Sequence, residues 1–84
     1  MDLTQYVRDI PDFPQEGIVF KDITPLLSNP SAFRFVTDTF STHYSGKKID
    51  AIVGIDARGF IFASALAYRM GVGFIPVRKP GKLP

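Results

Sequence analysis

The 84 residues contain no cysteine, a single histidine, no acidic side chain beyond Asp56, no internal repeat and no long apolar run. Each shortage removes a class of function. Without cysteine there are no disulfides and no thiolate metal sites, which fits the cytoplasmic location we expect. One histidine, with no nucleophile elbow in the chain, leaves no Ser-His-Asp set. His43 falls near the end of an expected helix, where an imidazolium would complement the helix dipole. No apolar stretch approaches the roughly 18 residues of a membrane span, and the N-terminus lacks a signal-peptide core. No His, Cys or Asp cluster has metal-ligand spacing. The remaining composition, 45% hydrophobic and 21% charged, is that of one small globular domain.

The absence of acid after Asp56 leaves the charge lopsided. From Ala57 to Pro84 there are five basic residues, Arg58, Arg69, Arg78, Lys79 and Lys82, and no acidic one. They form either a solvated basic face or a site for a polyanion. A net charge of +2 is too small for a dedicated nucleic-acid binder.

The order of elements follows from periodicity and punctuation. Leu3, Tyr6, Val7 and Ile10 share one side of an expected helix over residues 2–10, capped by Asp2 or Thr4 and ended by Pro11. Two prolines and Gly17 make the following stretch a loop. Ile18, Val19 and Phe20 form a short extended run, in which Phe20 is either a core ring or a ring available to a planar ligand. Thr24 to Ser28 reads as a single helical turn, with Thr24 as cap and Pro25 at its first position. Asn29 should cap a longer helix that starts at Pro30 and runs to about His43, with Phe33, Val36 and Phe40, continued by Tyr44, as an apolar stripe.

The most informative stretch is 49–70. The β-branched run from Ile49 to Ile55 has the look of a parallel strand covered on both faces. Phe60 to Met70 is apolar at helical spacing and stops at Gly71. The turn between them, Asp56-Ala57-Arg58-Gly59, lies where open α/β sheets place ligands, at a helix amino terminus that attracts anions. Arg58 adds a planar, permanently charged fork suited to phosphate oxygens. A second strand over 73–78 completes a βαβ unit. Gly54-x4-Gly59 is followed by Phe60-Ile61 and is therefore no Walker loop. Gly71-x-Gly73 follows a helix and lacks a third glycine, which excludes a dinucleotide fingerprint.

Three stretches then converge. Ile10-Pro-Asp-Phe-Pro…Gly17-Ile-Val-Phe20-Lys-Asp22-Ile-Thr-Pro, Val53-Gly-Ile-Asp56-Ala-Arg58-Gly59-Phe60 and Val77-Arg78-Lys79-Pro80-Gly81-Lys82-Leu83-Pro84 resemble, in order and spacing, the adenine phosphoribosyltransferases of the type I phosphoribosyltransferase family. The resemblance covers essentially the whole chain. It implies an α/β fold, a parallel sheet flanked by helices, of which 84 residues supply only the N-terminal part. Residues 1–48 would carry the N-terminal helices and the adenine-site segment, 49–78 the strand–helix–strand with the pyrophosphate loop, and 79–84 the start of a mobile catalytic loop.

The implied reaction is adenine plus 5-phosphoribosyl-1-pyrophosphate giving AMP and pyrophosphate, a step of purine salvage. Magnesium would be carried with the phosphoribosyl pyrophosphate and not by this chain. The resemblance assigns Phe20 to stacking on adenine, and the backbone of Val19 and Lys21 to its edge. Asp56, Ala57, Arg58 and Gly59 correspond to the pyrophosphate loop, with a cis Asp56–Ala57 peptide and Arg58 catalytic on the leaving group. Arg78, Lys79 and Lys82 belong to the basic segment, and Arg78 is expected to reach the pyrophosphate of a partner in a homodimer. No nucleic-acid or membrane partner is implied. The family's Thr- and Gly-rich phosphoribosyl-binding loop has no counterpart in 1–84, so we expect the front part of a larger domain, inactive alone. The alternatives are a non-catalytic regulator that senses a phosphoribosyl ligand on the same fold, and an inert structural fragment.

Overall fold

The structure, a computed structural model, describes all residues from Met1 to Pro84. It divides into two compact units, Met1–Val36 and Thr37–Pro84, the boundary falling inside one helix.

In the first unit Asp2 opens a single 3₁₀ turn, Leu3–Tyr6, by accepting hydrogen bonds from the Thr4 hydroxyl (2.7 Å) and the Thr4 N–H (3.0 Å). Those two donors hold its carboxyl below the ordinary carboxylate value. The chain then extends as β1, Arg8–Pro11, which pairs antiparallel with β2, Val19–Asp22, placing Arg8 opposite Asp22 and Ile10 opposite Phe20. The helix expected over 2–10 is therefore one turn followed by a strand. Leu3, Tyr6, Val7 and Ile10 do recur at helical spacing, but the backbone of 8–11 finds partners across the hairpin instead. The loop between the strands closes on itself: Phe13 N–H donates to Ile18 O (3.0 Å), and the Asp12 carboxylate accepts from Gly17 N–H (3.0 Å). Gly17 takes a left-handed φ of 87°, which a side chain would resist.

Asp22 ends β2 and is buried. Its carboxylate accepts the Thr24 N–H (2.9 Å) and the Arg8 guanidinium, through Nε at 3.1 Å and through Nη2. The Thr24 amide first, and Arg8 second, pull its pKa down to about 2. This carboxylate, not Thr24, serves the start of α1, Thr24–Ser28, whose own cap position Ile23 offers no side-chain bond. Asn29 does cap α2, Pro30–His43: its Oδ1 accepts the Ala32 N–H at 2.9 Å. Leu26 and Ala32 are the buried apolar residues of this unit.

The second unit is a βαβ. β3, Ala51–Ile55, and β4, Gly73–Val77, pair in parallel, Val53 beside Ile75 and Ile55 beside Val77, with α3, Arg58–Met70, between them in sequence. Helix and sheet touch at Gly54. A Cβ there would lie 2.7 Å from Ala63 Cβ and 2.7 Å from a Phe74 ring carbon, so only glycine lets α3 come this close. Ala63, Leu66 and Ala67 are the buried face of α3. Gly71 ends the helix at φ 71°, where Val72 N–H donates to Ala67 O and Gly71 N–H to Tyr68 O. β3 is not covered on both faces. Val53 is 57% exposed, Ile55 68% and Ile75 50%, so one side of the parallel pair is an open apolar surface.

Candidate functional site

β3 stops at Ile55, and the Asp56 N–H continues the ladder by donating to Val77 O at 3.0 Å. The Asp56–Ala57 peptide is cis, as the resemblance implies. α3 begins at Arg58, so Arg58 and Gly59 belong to the first turn of the helix, two residues earlier than the helix over 60–70 that the apolar spacing indicates. No side chain caps this start; Ala57 stands at the cap position, and the first turn holds no acidic residue. An uncapped helix amino terminus beside an arginine is a favourable place for an anion, because the first amide N–H groups lack intrahelical acceptors.

A second arginine arrives from the neighbouring strand. Arg78, one residue beyond β4, donates through Nε to Asp56 Oδ2 at 3.1 Å, and its guanidinium carbon lies 6.0 Å from the centre of the Phe60 ring. Phe60 in turn packs edge-to-face on Phe74, centroids 5.7 Å apart. The pair is only partly shielded, with Asp56 21% and Arg78 35% exposed at the side chain. Asp56, Ala57, Arg58, Gly59 and Arg78 are thus brought to one edge of the parallel pair, at the carboxyl ends of both strands. Lys79 and Lys82 lie just beyond, in an exposed turn closed by Lys82 N–H donating to Lys79 O (3.2 Å).

Val19, Phe20 and Lys21 belong to the first unit. Val19 is 53% exposed on β2. Lys21 reaches across the hairpin to Asp9, Nζ to Oδ1 at 2.6 Å, a pairing made in water by two exposed side chains. Phe20 is half-buried and meets Phe13 edge-to-face, centroids 5.2 Å apart at 72°. Phe13 escaped the sequence reading. Its one signal was its place in the Pro-Asp-Phe-Pro run, which marks a shaped loop without saying what the loop holds. The Asp22–Arg8–Thr24 network escaped it too, since nothing local ties Arg8 to a carboxylate across a hairpin.

No family model matches the chain. It is 63% identical, over 82 residues, to the adenine phosphoribosyltransferase of Roseiflexus sp., covering 98% of this chain and 48% of that protein. The chain is related to the adenine phosphoribosyltransferases. Among solved structures of the family, the enzyme of Thermoanaerobacter pseudethanolicus superposes with a TM-score of 0.92 at 52% identity, covering 98% of this chain and 49% of that one. An APRTase of Giardia lamblia complexed with 9-deazaadenine gives a TM-score of 0.95 at 44% identity, with 99% and 46% covered. The chain therefore spans about half the length of the curated relatives it matches, and its elements follow the α/β fold of this family over that span.

Proposed function

We propose that this chain supplies the adenine-facing segment and the pyrophosphate loop of an adenine phosphoribosyltransferase acting in purine salvage. The observation that carries the proposal is the gathering of two arginines at the uncapped start of α3. Asp56-Ala57-Arg58-Gly59 turns from β3 into the helix, while Arg78 is tied to the same turn by Asp56. In the transfer reaction the bond from ribose C1 to pyrophosphate breaks as the bond to adenine N9 forms, and the imidazole-ring proton of adenine is released to solvent or to the departing pyrophosphate. The transition state resembles an oxocarbenium ion parting from a polyanion, so donors fixed beside the departing oxygens lower the barrier. Arg58 and the helix amides take that role, and Arg78, Lys79 and Lys82 add positive potential around it.

Adenine is assigned to β2, with Phe20 against the purine face and the Val19 and Lys21 backbone along its edge. A solved APRTase that carries 9-deazaadenine and a yeast enzyme that carries adenine support a purine ligand for the family. Magnesium enters with the phosphoribosyl pyrophosphate in this reading. The protein works as a cytoplasmic homodimer in this reading. No helix is long and apolar enough to cross a membrane.

Residues 1–84 contain no counterpart of the loop that binds the ribose hydroxyls and 5-phosphate, so the chain by itself should bind pyrophosphate and adenine without forming AMP. Isothermal titration with pyrophosphate tests the anion site. Arg58→Ala should weaken binding on the order of tenfold or more, the worth of a charge-assisted hydrogen bond. Unchanged affinity would remove Arg58 from the site. AMP synthesis by the unaltered chain, from adenine, phosphoribosyl pyrophosphate and magnesium, would overturn the expectation of a silent half.

A further inference from the structure

We infer that Phe13 is a positioning residue for the purine, a brace that sets the plane of the Phe20 ring. The inference rests on the assignment of adenine to β2 made above. Phe20 sits on a two-stranded hairpin, and such a platform does little by itself to fix a side chain that must meet a flat ligand face-on. The loop between β1 and β2 supplies what the strands do not. Phe13 N–H bonded to Ile18 O closes the loop at its base, Ile18 N–H donates to Gln15 O at 3.2 Å, and the Asp12 carboxylate holds Gly17 N–H. Asp12 itself adopts a φ of 57°, unusual for a residue with a side chain, and thereby turns the chain so that Phe13 meets Phe20.

The contact has the geometry aromatic pairs favour, ring edge toward ring face at 5.2 Å between centroids. It restricts rotation of Phe20 before any ligand arrives, so less side-chain freedom is lost when adenine stacks. Phe13 is itself 50% exposed, which means that it is not a core ring whose removal collapses the unit. Its surroundings are built and its burial is incomplete, as a brace for a neighbouring ring requires. The same argument makes the effect selective. Pyrophosphate is assigned to the other unit and gains nothing from Phe13.

The test is titration of adenine into the chain and its variants, with circular dichroism to verify folding. Phe13→Leu keeps the apolar volume and removes the ring; adenine affinity should fall roughly three- to tenfold, with pyrophosphate affinity unchanged. Phe13→Tyr keeps the ring and should bind adenine as the unaltered chain does. Equal adenine affinity in Phe13→Leu, alongside weakened binding in Phe20→Ala, would overturn the brace while leaving the adenine site standing. Undiminished binding in Phe20→Ala, or no adenine binding by the unaltered chain, would overturn the adenine-site reading and the brace with it. A ligand-free readout covers the case in which Phe13→Leu fails to fold. Proton contacts between the Phe13 and Phe20 rings should appear in the NMR spectrum of the unaltered chain, and their absence would also overturn the inference.

Discussion

The two units solve the same problem, two strands and a helix with few residues to bury, by opposite means. In Met1–Val36 the strands run antiparallel and the joint between β2 and α1 is a buried carboxylate that serves an arginine and a helix start at once. In Thr37–Pro84 the strands run parallel, and the joint between sheet and helix is a missing side chain, Gly54, into which Ala63 and Phe74 close. One joint is held by charge and the other by contact. The difference teaches that the first unit should answer to pH and the second to volume.

The largest break in that comparison should come from Gly54→Ala. Its new Cβ meets a helix Cβ and a ring carbon at 2.7 Å, and overpacking of that kind costs about 1–3 kcal/mol or more. Urea denaturation followed by amide exchange should show the loss in β3, α3 and β4, with β1 and β2 protected as before. Asp22→Asn is the counterpart in the first unit and should lower protection there alone, by less than the glycine substitution does in the second. The pH dependence sharpens the point. Asp22 titrates lower when folded, about 2 against an ordinary 3.8, so the unfolded chain takes up the proton first. Its stabilising contribution is complete above the ordinary value and is lost as pH falls through about 2. A denaturation series across that window should show the first unit weakening in the unaltered chain, and Asp22→Asn should abolish that part of the slope.

Smaller effects follow. Asn29→Ala removes the acceptor for Ala32 N–H and should cost about 1 kcal/mol, read as a lower urea midpoint. Arg69→Ala breaks an ion pair with Asp38 (3.3 Å) between two side chains that are about half exposed; a shift within about 0.5 kcal/mol is expected, and a larger one would mean that charge matters in the second unit as well.

What the sequence disclosed, and what it withheld, divides along the same line. In the second unit the β-branched run, the apolar helix and Gly71 sit next to one another in the order in which they act. The βαβ and the turn at 56–59 were accordingly legible, down to the left-handed residue that ends α3. The turn was read two residues too long because Arg58 and Gly59 are poor indicators of a helix start, and no capping side chain marks it. The open face at Val53, Ile55 and Ile75 was not foreseen, since an apolar run looks alike whether one side is covered or both. In the first unit the decisive contacts join residues far apart in sequence. Arg8 meets Asp22 and Ile10 lies beside Phe20, and neither partner announces the other. A local pattern at Leu3, Tyr6, Val7 and Ile10 then argues for a helix, and the hairpin overrules all but its first turn. For the candidate site, the resemblance pointed to the motif residues, whereas the contacts of Asp56 with Arg78 and of Phe13 with Phe20 needed coordinates.

The opposite sense of the two strand pairs also sets an order of events in time. β1 and β2 are separated by a loop that bonds to itself, so their pairing requires only local closure, an event of roughly 1–10 microseconds for a hairpin. β3 cannot meet β4 in parallel until the chain has travelled the whole length of α3 and back, a crossover that no tight turn can replace. The second pairing is therefore the slower one, its rate governed by non-local closure. A chain interrupted midway would already display β2 while Asp56 to Gly59 still had no neighbouring strand to shape them.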